Sequence, residues 1–391
     1  MDAQMLNVLT AIRLQIEDSD ISSMFFELAD FYEQKLWNQL TTGLKIVFHS
    51  ETCSSEIKLS LFTQFVWNCV DKLNQLQVVD FLLCSLVGNE NYEDNLGYLN
   101  NLMEKFKEID SKKKRNDGFK THENGELLIR IEICRIYLKQ NKIAEARNIL
   151  DEVSQILDEN NDTLPLRIIS AYYSVSAYYY QTKSDFNSYY YNILLYLSSS
   201  KETKIPVVQE KEIAYNLSIA ALLGDKIYNF GELLQHPIME NIDSDKTWLL
   251  EFLNALTLGD FDKFELISKQ YVPQIEILAN NESFLRQKIC LMTLVEMVSA
   301  KNVRTLNFTE IAEATHLHRD EVEHLVMKSI SLGLLKGRID QVSELVLVTW
   351  VQPRVMNEQQ ILKMHKRLIG WHEQVHKLGK SIEARGKGIW V

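Results

Sequence analysis

Turn-forming residues are scarce in this chain, and their scarcity limits the folds open to it. The 391 residues include only 14 glycines and 5 prolines. An antiparallel β-sandwich needs a turn about every ten residues, and a doubly wound α/β sheet uses glycine-rich crossovers, so neither fold fits. Hydrophobic residues make up 46% of the chain and charged residues 24%, which is enough to bury a sizeable core. The sequence therefore predicts a mostly helical, all-α protein.

Helical periodicity runs from residue 3 to about residue 300. Between residues 25 and 44, apolar side chains recur at intervals of three and four, which predicts one amphipathic helix or two in succession. Residues 111–125 interrupt this pattern with polar side chains, two glycines and the basic run Lys112–Arg115. We expect a solvated loop here, and a nuclear-import signal is the alternative interpretation of the run.

Beyond that loop, a turn motif precedes successive helical stretches. Each copy has a small or polar turn residue, an apolar anchor, and a second apolar or small residue three positions later. The anchors are Ile143, Phe186, Ile227 and Phe261, and the second residues are Ala146, Tyr189, Phe230 and Phe264. The anchors lie 43, 41 and 34 residues apart, which is typical of helix-pair repeats whose apolar faces are covered only when pairs stack. We therefore predict a TPR-like helical-repeat solenoid, with N-terminal repeats over residues 1–110 and further repeats over residues 126–300.

The apolar pattern changes after residue 300. A short helix is predicted from Thr309, and a second helix, over residues 319–330, stops before Gly333, which can supply a left-handed C-cap. Two β-rich stretches follow, at residues 334–342 and 345–351. Helix, turn, helix and hairpin form the winged-helix pattern, so we predict a winged helix over residues 301–355.

The charge of the predicted winged helix favours a protein partner over DNA. Residues 318–332 hold two basic and three acidic side chains, whereas a DNA-reading helix needs positive charge for phosphate contacts. We expect the β-rich segment 345–351 to present an edge strand to another subunit. The predicted partner-interface residues of the winged helix are Leu345, Leu347, Val348 and Trp350.

The last segment, residues 356–391, has the most regular apolar pattern in the chain. A capping box of Asn357 and Gln360 opens it, and apolar residues then occupy the a and d positions of a coiled coil or bundle. These residues, here called the seam, are Ile361, Met364, Leu368, Trp371, Val375, Leu378 and Ile382. A lone helix leaves such a seam in water, so we predict a C-terminal bundle helix whose seam is a partner interface. Residues 359–391 hold seven basic and two acidic side chains. This positive charge could attract an acidic partner protein, and the alternative interpretation is a solvated face of the bundle.

One pattern in this segment is similar to an enzyme motif. His372-Glu373-Gln374-Val375-His376 matches H-E-x-x-H, in which two histidines one helical turn apart share a zinc ion. The match stops there, because Ile382 occupies the place of the third histidine of the longer metzincin pattern, and His365 lies about 10 Å along the helix axis from His372. His316-Leu317-His318 lacks the downstream serine and aspartate of a metal-dependent deubiquitinase. We predict no catalytic, cofactor-binding or metal-ligating residues and no enzyme activity.

The composition of the whole chain also limits its partners. Its 42 basic and 53 acidic residues give a net charge of -11, which disfavours general binding to nucleic acids or anionic membranes. The five cysteines are too far apart for a metal knuckle or a disulfide framework and indicate an intracellular protein. The N-terminus has no basic region before an apolar stretch, and the apolar windows are shorter than about 18 residues, so we expect a soluble protein.

Five stretches resemble one family of proteins. They are residues 31–37, 222–234, 283–292, 350–354 and 383–386. Together with a helical solenoid that ends in a winged helix, these stretches resemble PCI-domain subunits of the 26S proteasome regulatory-particle lid, of the non-ATPase regulatory subunit 13 type. The resemblance covers nearly the whole chain.

The resemblance implies a non-catalytic scaffold. PCI subunits of the lid associate through their winged helices, and their C-terminal helices gather into one bundle. The expected partners are other PCI-type lid subunits and the lid deubiquitinase module in a hetero-oligomer, without nucleic acid, membrane or cofactor. The expected location is the cytoplasm and nucleus, and the expected role is to support ubiquitin-dependent degradation. The alternatives are a PCI subunit of a signalosome or translation-initiation complex, an RNA-binding PCI protein, and a zinc peptidase.

Overall fold

The fold is described from a computed structural model. The described residues are 2–14, 19–50, 53–89, 91–113, 122–160, 164–200, 206–300, 305–353 and 358–386. They fall into two compact units, residues 1–204 and 205–391. Helices dominate both units, so the prediction of an all-α fold is confirmed. Among the helices within these ranges, not one combines enough length with enough apolar character for a membrane crossing.

All regular secondary structure in the described residues of the first unit is helical. The α-helices are α1 (Asp2–Arg13), α2 (Ser19–Glu33), α3 (Trp37–His49), α4 (Ser55–Leu61), α5 (Trp67–Cys69), α6 (Gln75–Leu86), α7 (Tyr92–Lys113), α8 (Glu123–Lys139), α9 (Ile143–Asn160), α10 (Leu166–Thr182) and α11 (Phe186–Ser199). A π-helical turn at Phe62–Val66 joins α4 to α5. Helix α8 packs on α9 and on α10, and α10 packs on α11, so neighbouring helix pairs stack. One cluster of buried apolar side chains runs from Met5 to Tyr179, which confirms the helical-repeat core of this unit.

The apolar stripe over residues 25–44 belongs to two helices, α2 and α3. Lys35, between them, adopts a left-handed backbone with φ of 58°, which stops the first helix. The predicted loop 111–125 is shorter than expected, because α7 extends to Lys113 and α8 begins at Glu123. Residues 114–121, which include half of the basic run, lie outside the described part of the chain.

A buried polar pair joins the end of α7 to the start of α8. The Asp110 carboxylate lies 2.5 Å from the His122 ring nitrogen Nδ1 and accepts a second hydrogen bond from the His122 backbone N–H at 3.2 Å. Both side chains are almost fully buried, and the imidazole stacks on Phe106. Because buried polar groups are costly unless paired, this pair fixes the two helix ends against each other.

The predicted turn motif has a common backbone conformation at three of its four places. Asn141, Ser184 and Gly259 have φ of 60°, 58° and 67°, so each ends a helix in the left-handed region. An aspartate caps the next helix at two of these turns, where Asp185 accepts from the Ser188 N–H and Asp260 from the Lys263 N–H. The second residues of the motif are all buried, namely Ala146, Tyr189, Phe230 and Phe264.

The second unit combines helices with a small sheet. Its α-helices and strands are α12 (Val207–Leu223), α13 (Gly231–Leu234), α14 (Trp248–Leu258), α15 (Phe261–Tyr271), α16 (Glu276–Ala279), α17 (Glu282–Ala300), β1 (Thr305–Asn307), α18 (Phe308–Thr315), α19 (Arg319–Ser331), β2 (Leu335–Asp340), β3 (Leu345–Val351) and α20 (Glu358–Gly386). Short 3-10 helices lie at Pro237–Asn241, Ser244–Lys246 and Val272–Gln274. Helix α17 is central, because it packs on α12, α14, α15, α18, α19 and β3. At the third motif the anchor itself does not start a helix, because Ile227 lies buried in the segment between α12 and α13.

The winged helix is present with the predicted order of elements. Helices α18 and α19 are followed by the β2–β3 hairpin, and Gly333 has the predicted left-handed conformation with φ of 73°. The short strand β1, which precedes α18, was not predicted. The strand order is β1-β3-β2, with both pairs antiparallel. Strand β3 is therefore central, and the prediction that residues 345–351 form an edge strand is wrong.

Candidate functional site

The outer face of the winged-helix sheet depends on a β-bulge. Strict alternation along β3 would place Trp350 on the same face as the buried residues Val346 and Val348. The register shifts between Lys336 and Gly337, which leaves Thr349 as an extra residue on β3. Trp350 therefore points outward and is 41% exposed, as is Leu347 at 45%. The bulge brings these two predicted interface residues to one face.

Gly337 permits the close approach of β2 to β3 at the bulge. A Cβ atom added at this residue would lie 2.5 Å from the backbone oxygen of Leu347. Any other residue would force the strands apart, so the glycine is required by the space available rather than by its own backbone angles.

Two cations that sequence reasoning missed accompany the apolar residues on this face. Lys336 pairs with Trp350, and its Nζ lies 4.9 Å from the centre of the indole ring. Arg338 pairs with Leu347 and is exposed. The surface formed by Lys336, Arg338, Leu347 and Trp350, here called the sheet face, is therefore both apolar and basic. Strand alternation on β2 could have indicated these cations, but only once the pairing register was known.

The structure does not place all four predicted winged-helix residues on a surface. Leu347 and Trp350 are exposed, and Leu345 is half-buried. Val348 is only 2% exposed, and it points into the core on the side of β3 that packs on α17. Assigning Val348 to a partner interface is therefore wrong, because its side chain is unavailable to another molecule in the folded chain.

The C-terminal helix α20 presents the predicted seam to solvent. All seven seam residues are between 50% and 65% exposed. Every other described side chain from Ile361 to Arg385 is exposed as well. Leu362 and Ile369, which sequence reasoning missed, each follow a seam residue and widen the apolar face on one flank. The predicted N-cap Asn357 lies outside the described residues. A helix of 29 residues with an uncovered apolar stripe is typical of an element that packs against other chains.

The histidines of the H-E-x-x-H pattern lie beside the seam, on the flank of α20. His372 and His376 are both exposed, and their rings are nearly parallel, with centroids 6.3 Å apart. The described residues contain no group of three or more histidine, cysteine or acidic side chains arranged to hold a metal ion. The geometry of a catalytic zinc centre with three protein ligands is thus not found in the described part of the chain.

A buried lysine holds together the centre of the second unit. Lys288, on α17, donates hydrogen bonds through Nζ to the backbone oxygens of Ala221, Leu222 and Gly224, at 2.8, 3.0 and 2.7 Å. These carbonyls lie at the C-terminal end of α12, where the helix leaves carbonyls without partners and where its dipole favours a cation. Burial lowers the pKa of the Lys288 ammonium to about 7, and the Asp225 carboxylate opposes this shift. The sequence offers no local signal for this lysine, since its acceptors lie 64 to 67 residues away.

A helical-repeat region, a winged helix and an exposed C-terminal helix define a PCI-domain subunit of a multisubunit complex. The family model for the PCI domain matches residues 261–350, the model for PSD13 N-terminal repeats matches residues 24–253, and the model for the Rpn9 C-terminal helix matches residues 354–386. The three matches coincide with the helical repeats, the winged helix and α20.

The chain is similar along its whole length to proteasome subunits. It is 52% identical to the 26S proteasome regulatory subunit RPN9 of Saccharomyces cerevisiae, over 98% of each chain. It is 37% identical to the probable 26S proteasome regulatory subunit rpn9 of Schizosaccharomyces pombe, over 95% of this chain and 94% of that one. It is 33% identical to the 26S proteasome non-ATPase regulatory subunit 13 of Dictyostelium discoideum, over 93% of each. This chain belongs to the Rpn9/PSD13 family of 26S proteasome regulatory subunits.

Proposed function

We propose that this chain is a non-catalytic structural subunit of the 26S proteasome regulatory-particle lid. The observation that carries the proposal is the exposed seam of α20, because a chain that folds alone has no use for a long apolar stripe left in water. In the proposal, the helices of neighbouring subunits cover the seam and form a bundle with it. The five-part division into residues 1–110, 111–125, 126–300, 301–355 and 356–391 is part of the same proposal.

The sheet face of the winged helix provides a second docking surface in this proposal. Leu347 and Trp350 supply apolar area, and Lys336 and Arg338 supply charge at its border. An exposed tryptophan beside an aliphatic side chain is typical of the energetic centre of a protein interface. We infer that another PCI-type lid subunit docks on this face, and that the lid deubiquitinase module is held through the assembled bundle.

The proposal assigns the chain no reaction of its own. In the proposal, the chain contributes to ubiquitin-dependent degradation by positioning other subunits. It does so as part of a proteasome in the cytoplasm and nucleus. The charge pattern of the winged helix supports protein partners over DNA, because α19 carries acidic side chains at its start, Asp320 and Glu321.

Native purification followed by mass spectrometry tests this function directly. A tagged full-length chain is expected to be recovered with the other lid subunits in equal amounts. Recovery with subunits of a signalosome or of a translation-initiation complex, or recovery as a free monomer, would contradict the proposal.

Aspartate substitutions at two neighbouring residues of β3 should differ in their effect on folding, because one side chain is exposed and the other is buried. Leu347→Asp places a charge on the sheet face, so the chain should fold normally but co-purify with less of its neighbouring PCI subunit. Val348→Asp buries a carboxylate without a partner and should unfold the winged helix, at a cost of more than about 3 kcal/mol. Thermal denaturation and co-purification distinguish the two effects.

Val342→Asp is the matched control for Leu347→Asp. Val342 is 97% exposed at the tip of the β2–β3 turn, so the same change of charge is made outside the sheet face. Leu347→Asp and Val342→Asp variants that co-purify equally well with the neighbouring subunit would rule out the sheet face as a docking surface.

A further inference from the structure

Helix α20 carries two histidines that its docking role does not require. His372 and His376 are separated by one helical turn, so their side chains leave the helix on the same side. Both are exposed, and their ring planes differ by only 10°. They lie beside the seam residues Leu368 and Val375, on the flank of the helix that also carries Ile369.

We propose that His372 and His376 together bind one divalent transition-metal ion of the zinc class. Imidazole nitrogen is a preferred ligand of Zn²⁺, Ni²⁺ and Cu²⁺, and a pair at positions i and i+4 of a helix can bind one ion from a single face. Zn–N bonds of about 2.0 Å and a tetrahedral angle would place two ring centroids about 5 Å apart. The observed separation of the ring centroids is 6.3 Å, so side-chain rotations that bring the two rings about 1 Å closer would let both bind one ion.

The site has two protein ligands and no catalytic role. His365, two turns before His372, is too distant to join the same ion, since seven residues span about 10 Å of helix. Among the described residues, no third histidine, cysteine or acidic side chain completes a cluster. Water fills the remaining positions around the ion in the free chain. Glu373, three residues before His376, adds negative charge near the site, and Lys380, one turn after it, opposes that effect.

Metal binding at this pair must stabilise the helix around it. The two imidazoles approach one another only when residues 372–376 are helical, so the ion binds the helical form and not the unfolded one. The described side chains of α20 are exposed, which leaves this helix with little packing to hold its shape. Local order in α20 is therefore the property that should respond most to the metal.

Calorimetric titration of the full-length chain with ZnCl₂ tests the site, using His372→Ala and His376→Ala variants. Each variant should bind the ion at this site at least about tenfold more weakly. Removing a residue that only hydrogen-bonds to a metal ligand already lowers metal affinity by about tenfold or more, so removing a ligand itself should cost at least as much. Hydrogen exchange measured with and without Zn²⁺ should slow in residues 368–380 of the unmodified chain but not of either variant. Alanine favours helix, so a lost response would not come from a weakened helix.

His365→Ala is the matched control, because it removes an exposed histidine from the same helix without touching the pair. This variant should bind Zn²⁺ and slow its exchange as the unmodified chain does. The affinity that remains in both pair variants measures the other zinc ligands of the chain, among them the half-buried thiol of Cys84 and the exposed His49. Equal Zn²⁺ affinity in the unmodified chain, His372→Ala and His376→Ala would overturn the proposal, as would loss of binding in His365→Ala.

Discussion

Deletion of residues 358–391 is expected to leave both compact units folded while abolishing incorporation into the proteasome lid. The chain loses little packing, because every described side chain between Ile361 and Arg385 is exposed. The assembly loses a large interface. Full burial of a large apolar side chain is worth about 1.5–3 kcal/mol, and the seam residues are about half exposed, so covering all seven contributes roughly 5–10 kcal/mol before the costs of association. Circular dichroism checks the folding of the truncated chain, and native purification checks its incorporation.

A pair of point substitutions separates the seam from the rest of α20. Leu368→Asp places a carboxylate on the seam and should strongly reduce recovery with lid subunits. Lys366→Asp introduces the same residue into the same helix on the opposite face, at a similar cost in helix propensity, and should assemble normally. If the truncated chain enters the lid as well as the full-length chain does, or if the two point variants behave alike, the seam is not the docking element.

The features that the sequence predicted correctly are set by local patterns. The turn residues Asn141, Ser184 and Gly259 end their helices in left-handed conformations, because the helical stripe stops there and a capping residue or apolar anchor follows. The exposed seam of α20 was predicted from spacing alone, since a repeat of three and four residues defines one face of a helix wherever the helix lies. Strand β3 was placed at its observed bounds from its run of β-branched and aromatic residues.

The errors arise where long-range contacts decide the structure. Strand β1 has only three residues, too few for a period of two to be recognised, and its presence moves β3 from the edge to the centre of the sheet. Val348 was assigned to the interface together with Trp350, but the bulge at Thr349, which depends on pairing with β2, puts these two side chains on opposite faces of the sheet. Ile227 fits the turn motif, yet it lies in the connection between α12 and α13, where the Gly224 carbonyl accepts a hydrogen bond from Lys288 of α17.

The substitution Lys288→Met is expected to destabilise the second unit strongly, even though it removes a charge from the core. An ammonium group has three N–H donors, and each is used by one backbone oxygen at the end of α12. Methionine matches the length of the side chain but donates nothing, so three buried carbonyls lose their partner. Each such loss costs about 1–3 kcal/mol, and the relief from no longer burying a charge offsets part of it, which leaves a net loss of about 3 kcal/mol. Urea denaturation measures the loss, and hydrogen exchange should localise it to α12 and α17.

The pH dependence of stability distinguishes this role of Lys288 from simple packing. Its pKa of about 7 in the folded chain lies below the value of about 10.4 in an unfolded chain. The unfolded chain therefore binds more protons between these values, and this lysine makes the free energy of unfolding rise as pH increases from 7 towards 10. Lys288→Met removes that contribution, so its stability deficit relative to the unmodified chain should widen with pH over this range.

Lys269→Met is the control, because it removes an exposed lysine paired with Glu265. It should cost less than about 1 kcal/mol and leave the pH profile of the unmodified chain in place. Parallel profiles for the Lys288→Met variant and the unmodified chain would mean that folding does not lower the pKa of Lys288.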